Sequence, residues 1–288
     1  MKPLFAMPVL VAAMGSSLTA QWLHYPTAGV PKTASGRPNL AAPTPRIPDR
    51  NPDARKPDFS GMWWSAGDKL PCPDQVRGEN GECAEKGLGL SNQGGRSAKT
   101  MDIADGLPGG LPYRPWAAEL VKKRIAEQHK DDPHARCMPP NVPRVYTLPH
   151  IQKIVQTPGL LIILDEFNAS YRQIFLDGRP LPEDPQPAWN GYSTGHWEGD
   201  TLVVQTIGFR DDLWLDMNGN PMTDAAKMTE RIRRPNFGTL EIELTVDDSK
   251  AYTKPWTVTL RQGIILDTEL LDEICLENEK SVQHLPGK

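Results

Sequence analysis

Asp165 and Glu166 end the apolar run Leu160–Leu164, and Tyr171 and Arg172 follow across a short turn. A carboxylate carried into apolar surroundings loses hydration, and its pKa rises toward the range where it can exchange protons at neutral pH. Glu166 is thus a candidate acid or base with Arg172 as its electrostatic partner; the plain alternative is a charged pair facing water at a hairpin tip. His196 precedes Trp197-Glu198-Gly199-Asp200, a turn in which Gly supplies a positive φ and Asp bonds local backbone. Imidazoles are the usual transition-metal ligands, but two or three must converge, and His129 and His134 only bracket a helix end. No metal or organic cofactor is expected. Asp212 lies beside Trp214, an acid next to an aromatic face of the kind that stacks on sugars or flat apolar ligands. Asp216-x-Asn218-x-Asn220 opens like a calcium loop, but Pro221 stands where the turn glycine belongs and Lys227 where the bidentate Glu belongs. Gly191-Tyr192-Ser193-Thr194-Gly195 has the spacing of a nucleophile elbow, which needs a helix after the serine, whereas a turn and another strand follow here. The candidate catalytic groups are therefore Glu166, Arg172, His196 and Asp212. By residue type, Arg144, Tyr146, Trp197 and Trp214 are the candidate ligand contacts.

The elements that must position these groups are mostly strands. Thr239–Val246 alternates Leu240, Ile242, Leu244 and Val246 on one face with Glu241, Glu243 and Thr245 on the other, and Trp256–Leu260 alternates likewise. Further strands are predicted at Ile151–Gln156, Leu160–Glu166, Tyr171–Leu176, Ser193–Trp197, Thr201–Phe209, Met228–Arg234 and Glu269–Cys275, with a first strand near Phe59–Trp64. With a suitable register, Arg231 and Arg233 face the two glutamates Glu241 and Glu243 as cross-strand pairs on one surface. One helix is predicted from Pro115 to about Lys130, with a first-turn proline and a stripe of Ala117, Leu120, Val121 and Ile125. Strands in meander order behind a single helix give a mainly β fold, an antiparallel barrel or strongly curved sheet. Residues 21–58 carry eight prolines and read as an extended arm, and 59–288 as a single β-rich domain.

The 288 residues include 32 Lys+Arg against 36 Asp+Glu, so the net charge of −4 offers no basic field for nucleic acid. With 29 prolines, an all-helical fold is disfavoured. Residues 1–20 join Lys2 to the apolar stretch Leu4–Met14 and the small residues before Ala20, the pattern of a secretory signal peptide. No later window is long and apolar enough for a membrane span. Secretion or a periplasmic location lets thiols pair. We favour Cys72 with Cys83, a local staple in a Gly-rich stretch, and Cys137 with Cys275, which ties the chain's middle to its end; no CxxC supports a zinc site.

The runs Asp132-Pro133-His134-Ala135-Arg136-Cys137-Met138-Pro139-Pro140, Gln156-Thr157-Pro158-Gly159, Asp177-Gly178-Arg179, Gly195-His196-Trp197-Glu198-Gly199-Asp200-Thr201-Leu202-Val203-Val204 and Tyr252-Thr253-Lys254-Pro255-Trp256 resemble a family of secreted bacterial proteins of unknown function. Gly61-x-Trp63 is similar to the Gly-x-Trp start of lipocalin-type (calycin) barrels. Three functional expectations follow. The first is a secreted protein that binds a small apolar, aromatic or sugar-like ligand inside a β-barrel with an apolar interior and an aromatic mouth. The second is a cofactor-independent hydrolase, lyase or isomerase, which requires Glu166, Arg172, His196 and Asp212 to converge. The third is an envelope interaction module acting through the arm.

Overall fold

The computed structural model describes residues 25–48, 55–65, 98–277 and 280. Residues 1–20, Cys72 and Cys83 lie outside them. In chain order come β1 (Gly61–Ser65), α1 (Ala98–Met101), α2 (Pro115–Ala126), two 3-10 turns (His134–Arg136, Arg144–Tyr146), β2 (Gln152–Gln156), β3 (Leu160–Asp165), β4 (Ser170–Phe175), β5 (Tyr192–Glu198), β6 (Thr201–Ile207), β7 (Leu213–Trp214), β8 (Pro221–Met222), β9 (Lys227–Asn236), β10 (Thr239–Asp247) and β11 (Trp256–Ile265). Nine strands close a barrel in the order β1-β11-β10-β9-β6-β5-β4-β3-β2, and β7-β8 forms a separate ribbon.

The period-two pattern places the core as expected. Leu240, Ile242, Leu244 and Val246 of β10 are buried and belong to one apolar cluster with Trp63, Ile154, Leu161, Ile163, Ile174, Leu202, Val204, Met228, Ile232, Val258, Leu260 and Ile264. Every barrel strand except β5 contributes to it, and Trp197 of β5 packs against it half-buried. The interior is thus filled with side chains. The outward face carries the charges: Arg233 and Arg231 stand opposite Glu241 and Glu243. Arg233 pairs with Glu241 at 3.1 Å, while Arg231 reaches across to Glu198 at 2.9 Å.

Two details differ from a simple meander. β4 and β5 pair in parallel. The connection 176–191 contains Pro180, Pro182, Pro185 and Pro187, which cannot donate to a ladder, so it crosses back over the barrel instead of forming a hairpin. The stretch 269–275 is not a strand, because β1 pairs with both β11 and β2 and leaves no edge free. Instead Glu273 makes a lone parallel bridge to Phe167. The Cys137–Cys275 disulfide forms, with S–S 2.05 Å. Among the described residues no helix is long and apolar enough to cross a membrane.

Both ends of the barrel are covered. At the end holding the β5-β6 and β9-β10 turns, the arm is packed down. Leu40 and Ala42 are buried, their carbonyls accept from Gly238 and Phe237, and Arg46 pairs with Asp200. The other end is covered by residues 103–150 and the ribbon. There Arg114 N donates to Ala251 O and Thr253 N to Pro112 O, while Ala117 and Val121 of α2 are buried.

Candidate functional site

Trp116, Leu120 and Arg124 are spaced by four residues and so share one face of α2. That face forms one wall of a cleft of about 530 Å³, completed by Arg114, Asp211, Leu213, Pro221, Thr223 and Lys250. The volume falls in the range of small-molecule sites. Trp116 is 45% exposed, and its indole Nε1 donates to Lys250 O at 2.8 Å, so its ring edge is anchored.

The ribbon wall is set by Asp216. Its Oδ2 accepts from Ile103 N at 2.8 Å and its Oδ1 from Asn220 N at 3.1 Å, so both oxygens of this would-be calcium ligand already accept hydrogen bonds. Burial pushes the Asp216 carboxyl up to about 6. Gly219 has φ +79°, and a Cβ there would stand 2.6 Å from Arg124 Cδ. Glycine therefore lets Arg124 lie over the Trp214 ring at 4.3 Å and donate Nη1 to Gly219 O at 2.6 Å. Burial pulls the Arg124 guanidinium down to about 10. Among the described residues, no carboxylate forms an ion pair with Arg124 or Arg114, whereas Lys250 pairs with Asp224 at 2.5 Å. The cleft thus combines an aromatic plate, an aliphatic floor and an excess of positive charge.

The residues expected to do chemistry are placed elsewhere, in separate positions. Arg172 of β4 is buried and contacts Glu230 of β9, a strand three places away in the barrel, so the pair crosses the interior. Arg172 Nη1 also donates to Tyr146 Oη at 2.7 Å, Nη2 to Thr206 Oγ1 at 2.8 Å and Nε to Ser193 Oγ at 3.2 Å. Tyr146 in turn donates to Glu230 Oε1 at 2.8 Å. Burial opposes the Arg172 charge, but Glu230 and Tyr146 outweigh it and hold its pKa above the ordinary value. Burial also pushes the Tyr146 phenol upward. Ser193 is a buried strand residue in this network rather than a nucleophile on an elbow. Arg144 is buried in a two-point pair with Asp132, both bonds 2.7 Å.

Glu166 lies at the β3-β4 turn, its Oε1 accepting from Ile151 N at 2.7 Å. His196 is exposed on the outside of β5, 3.3 Å from Glu198. Asp212 is exposed and paired with Arg210 at 2.8 Å. Trp197 packs against Phe59 at the arm end, 5.3 Å between ring centres. Of the expected ligand contacts, only Trp214 approaches the cleft, buried beneath Arg124. Glu166, Arg172, His196 and Asp212 therefore do not converge.

Asp165 and Glu230 are interior carboxylates outside the four candidate catalytic groups. Each sits at an inward position of an alternating strand: Glu230 between Met228 and Ile232, Asp165 two residues beyond Ile163. Parity alone marks them. Burial raises Asp165 to about 7, but the crevice beside it, lined by Gln152, Tyr171, Arg172 and Asn190, holds about 10 Å³. That is room for about one water. Trp116, Arg124 and Lys250 of the cleft carried no local signal. Searches against protein families, curated proteins and solved structures give no match for this chain.

Proposed function

We propose that this chain is a secreted or periplasmic binding protein whose ligand, a small molecule with an aromatic or apolar body and an acidic group, sits in the cleft between α2 and the β7-β8 ribbon. The observation that carries this reading is the juxtaposition of the exposed Trp116 ring with Arg114, Arg124 and Lys250 around a cleft to which one carboxylate, Asp211, contributes. The Trp116 face and Leu120, Leu213 and Pro221 take the apolar body, while the partly desolvated Arg124, which has no ion-pair partner among the described residues, takes the acid. The barrel serves as a rigid support, its interior being filled. The signal-like first twenty residues and the Cys137–Cys275 disulfide support export. The hydrolase, lyase or isomerase alternative draws no support from four candidate groups that lie apart.

Calorimetric titration with naphthalene-1-acetate and its neutral amide tests the reading. The acid is expected to bind at least about tenfold tighter than the amide, a difference of about 1.4 kcal/mol. Trp116→Ala is expected to weaken both, and Arg124→Met only the acid. Equal affinity for acid and amide, or binding indifferent to both substitutions, would overturn it.

A further inference from the structure

At the barrel end that holds the β3-β4 turn, three residues that do not line the cleft come together. His150 Nδ1 lies 3.1 Å from Glu273 Oε2 and 3.9 Å from Glu166 Oε1. The three ligand atoms all lie within 4.8 Å of one another. A zinc-sized ion held at about 2.1 Å by tetrahedral N and O ligands sets them roughly 3.4 Å apart, and the two measured separations straddle that value.

The fold fixes all three donors. Glu166 is oriented by Ile151 N. Glu273 is held by its own N–H donating to Glu166 O at 2.9 Å and by Asn168 N donating to its carbonyl at 2.6 Å. Two residues on, Cys275 is bonded to Cys137, and the Asn168 side chain ties both strands of that link, donating to Cys137 O at 2.8 Å and accepting from Cys275 N at 3.1 Å. The Phe167 ring packs 4.9 Å from the His150 imidazole and 4.2 Å from that of His134. His134, 5.7 Å from His150, keeps a buried Nδ1 without a hydrogen-bond partner. Among the described residues, neither Glu166 nor Glu273 pairs with a Lys or Arg, so two carboxylates share one imidazole.

We propose that His150, Glu166 and Glu273 bind one divalent transition-metal ion of the zinc class, leaving a fourth position to water or a ligand atom. One nitrogen and two carboxylate donors suit zinc and its neighbours rather than calcium or magnesium, which take oxygen alone. Three protein ligands make a site of the open kind. The His150 and Glu166 side chains are largely shielded, while that of Glu273 is 49% exposed and gives the ion its way in. The bound ion would tie the C-terminal segment to the β3-β4 turn beside the disulfide.

The test is a titration of the full disulfide-bonded chain, free of any polyhistidine tag and stripped with chelator, with cobalt(II) followed by visible absorption and then displaced by zinc. One cobalt per chain is expected, displaced by one zinc. His150→Ala and Glu273→Gln are each expected to weaken cobalt binding by at least about tenfold. Glu273→Gln changes a half-exposed side chain, and a melting curve of the variant is expected to match that of the unsubstituted chain stripped of metal. Absence of stoichiometric cobalt and zinc binding by the unsubstituted chain overturns the site, as does unchanged affinity in both variants.

Discussion

Replacing Glu230 with alanine strands a guanidinium inside the barrel. Glu230 is 0% exposed and Arg172 4% exposed, so neither charge has access to bulk water. The substitution removes the carboxylate that accepts from both terminal nitrogens of Arg172 and from Tyr146 Oη, and leaves Arg172 only Tyr146, Thr206 and Ser193, all neutral. An uncompensated buried charge of this kind costs about 3 to 5 kcal/mol. Arg172→Met costs about as much for the mirror reason, since it buries Glu230 alone. The pair Arg172→Met with Glu230→Leu removes both charges and keeps the volume, so its loss is expected to fall well below the sum of the single losses. The interaction energy should reach about 2 kcal/mol or more. Urea unfolding of the disulfide-intact protein, followed by tryptophan fluorescence with the slope checked across variants, measures it. A loss under about 1 kcal/mol for Glu230→Ala, or single losses that simply add, would refute the reasoning, because Arg172 would then be solvated by some other route.

Gly219→Ala is expected to cost about 1 to 2 kcal/mol, since φ +79° disfavours a Cβ, and to weaken cleft ligands by pushing Arg124 off Trp214; unfolding and titration on the one variant check both. Asp216 rises from 3.8 to about 6 on folding, so the folded state binds the extra proton and stability falls as pH climbs from about 4 to about 6. The drop is about 3 kcal/mol for this one group, and Asp216→Asn should flatten that part of the stability-pH curve. Cutting the Cys137–Cys275 link, whose ends stand 138 positions apart in the sequence, is expected to cost about 4 to 5 kcal/mol in chain entropy, measured by unfolding the double Cys→Ser variant.

Strand periodicity is local and therefore legible: the alternation at 239–246 puts Leu240 to Val246 inward and sets Glu241 and Glu243 on the face that meets the arginines of β9. The crossing at β4-β5 and the closure by β1 were not legible, because they depend on which edges remain free once the other strands have paired. Residue type alone does not tell a ligand contact from an internal partner: Arg144 is buried against Asp132, and Tyr146 reaches from the cap to Glu230 in the barrel interior. The arm at 25–48 has the composition of a tether, yet Leu40 and Ala42 find the β9-β10 turn and stay buried there. The cleft joins residues near 114–124, 211–223 and 250, which only the closed barrel brings together. The His150, Glu166 and Glu273 cluster depends in the same way on the disulfide that returns the C-terminal segment to the β3-β4 turn.

In the proposed function the ligand sits outside the barrel, against α2. The tryptophan indole N–H signals in a proton–nitrogen correlation spectrum test it most directly, recorded while naphthalene-1-acetate is added. Trp116 lines the cleft, whereas Trp63 is buried in the barrel with its Nε1 donating to Phe59 O. The Trp116 signal is expected to move progressively and saturate while that of Trp63 stays fixed. A shift at Trp63 with Trp116 unmoved would place the ligand inside the barrel and contradict it.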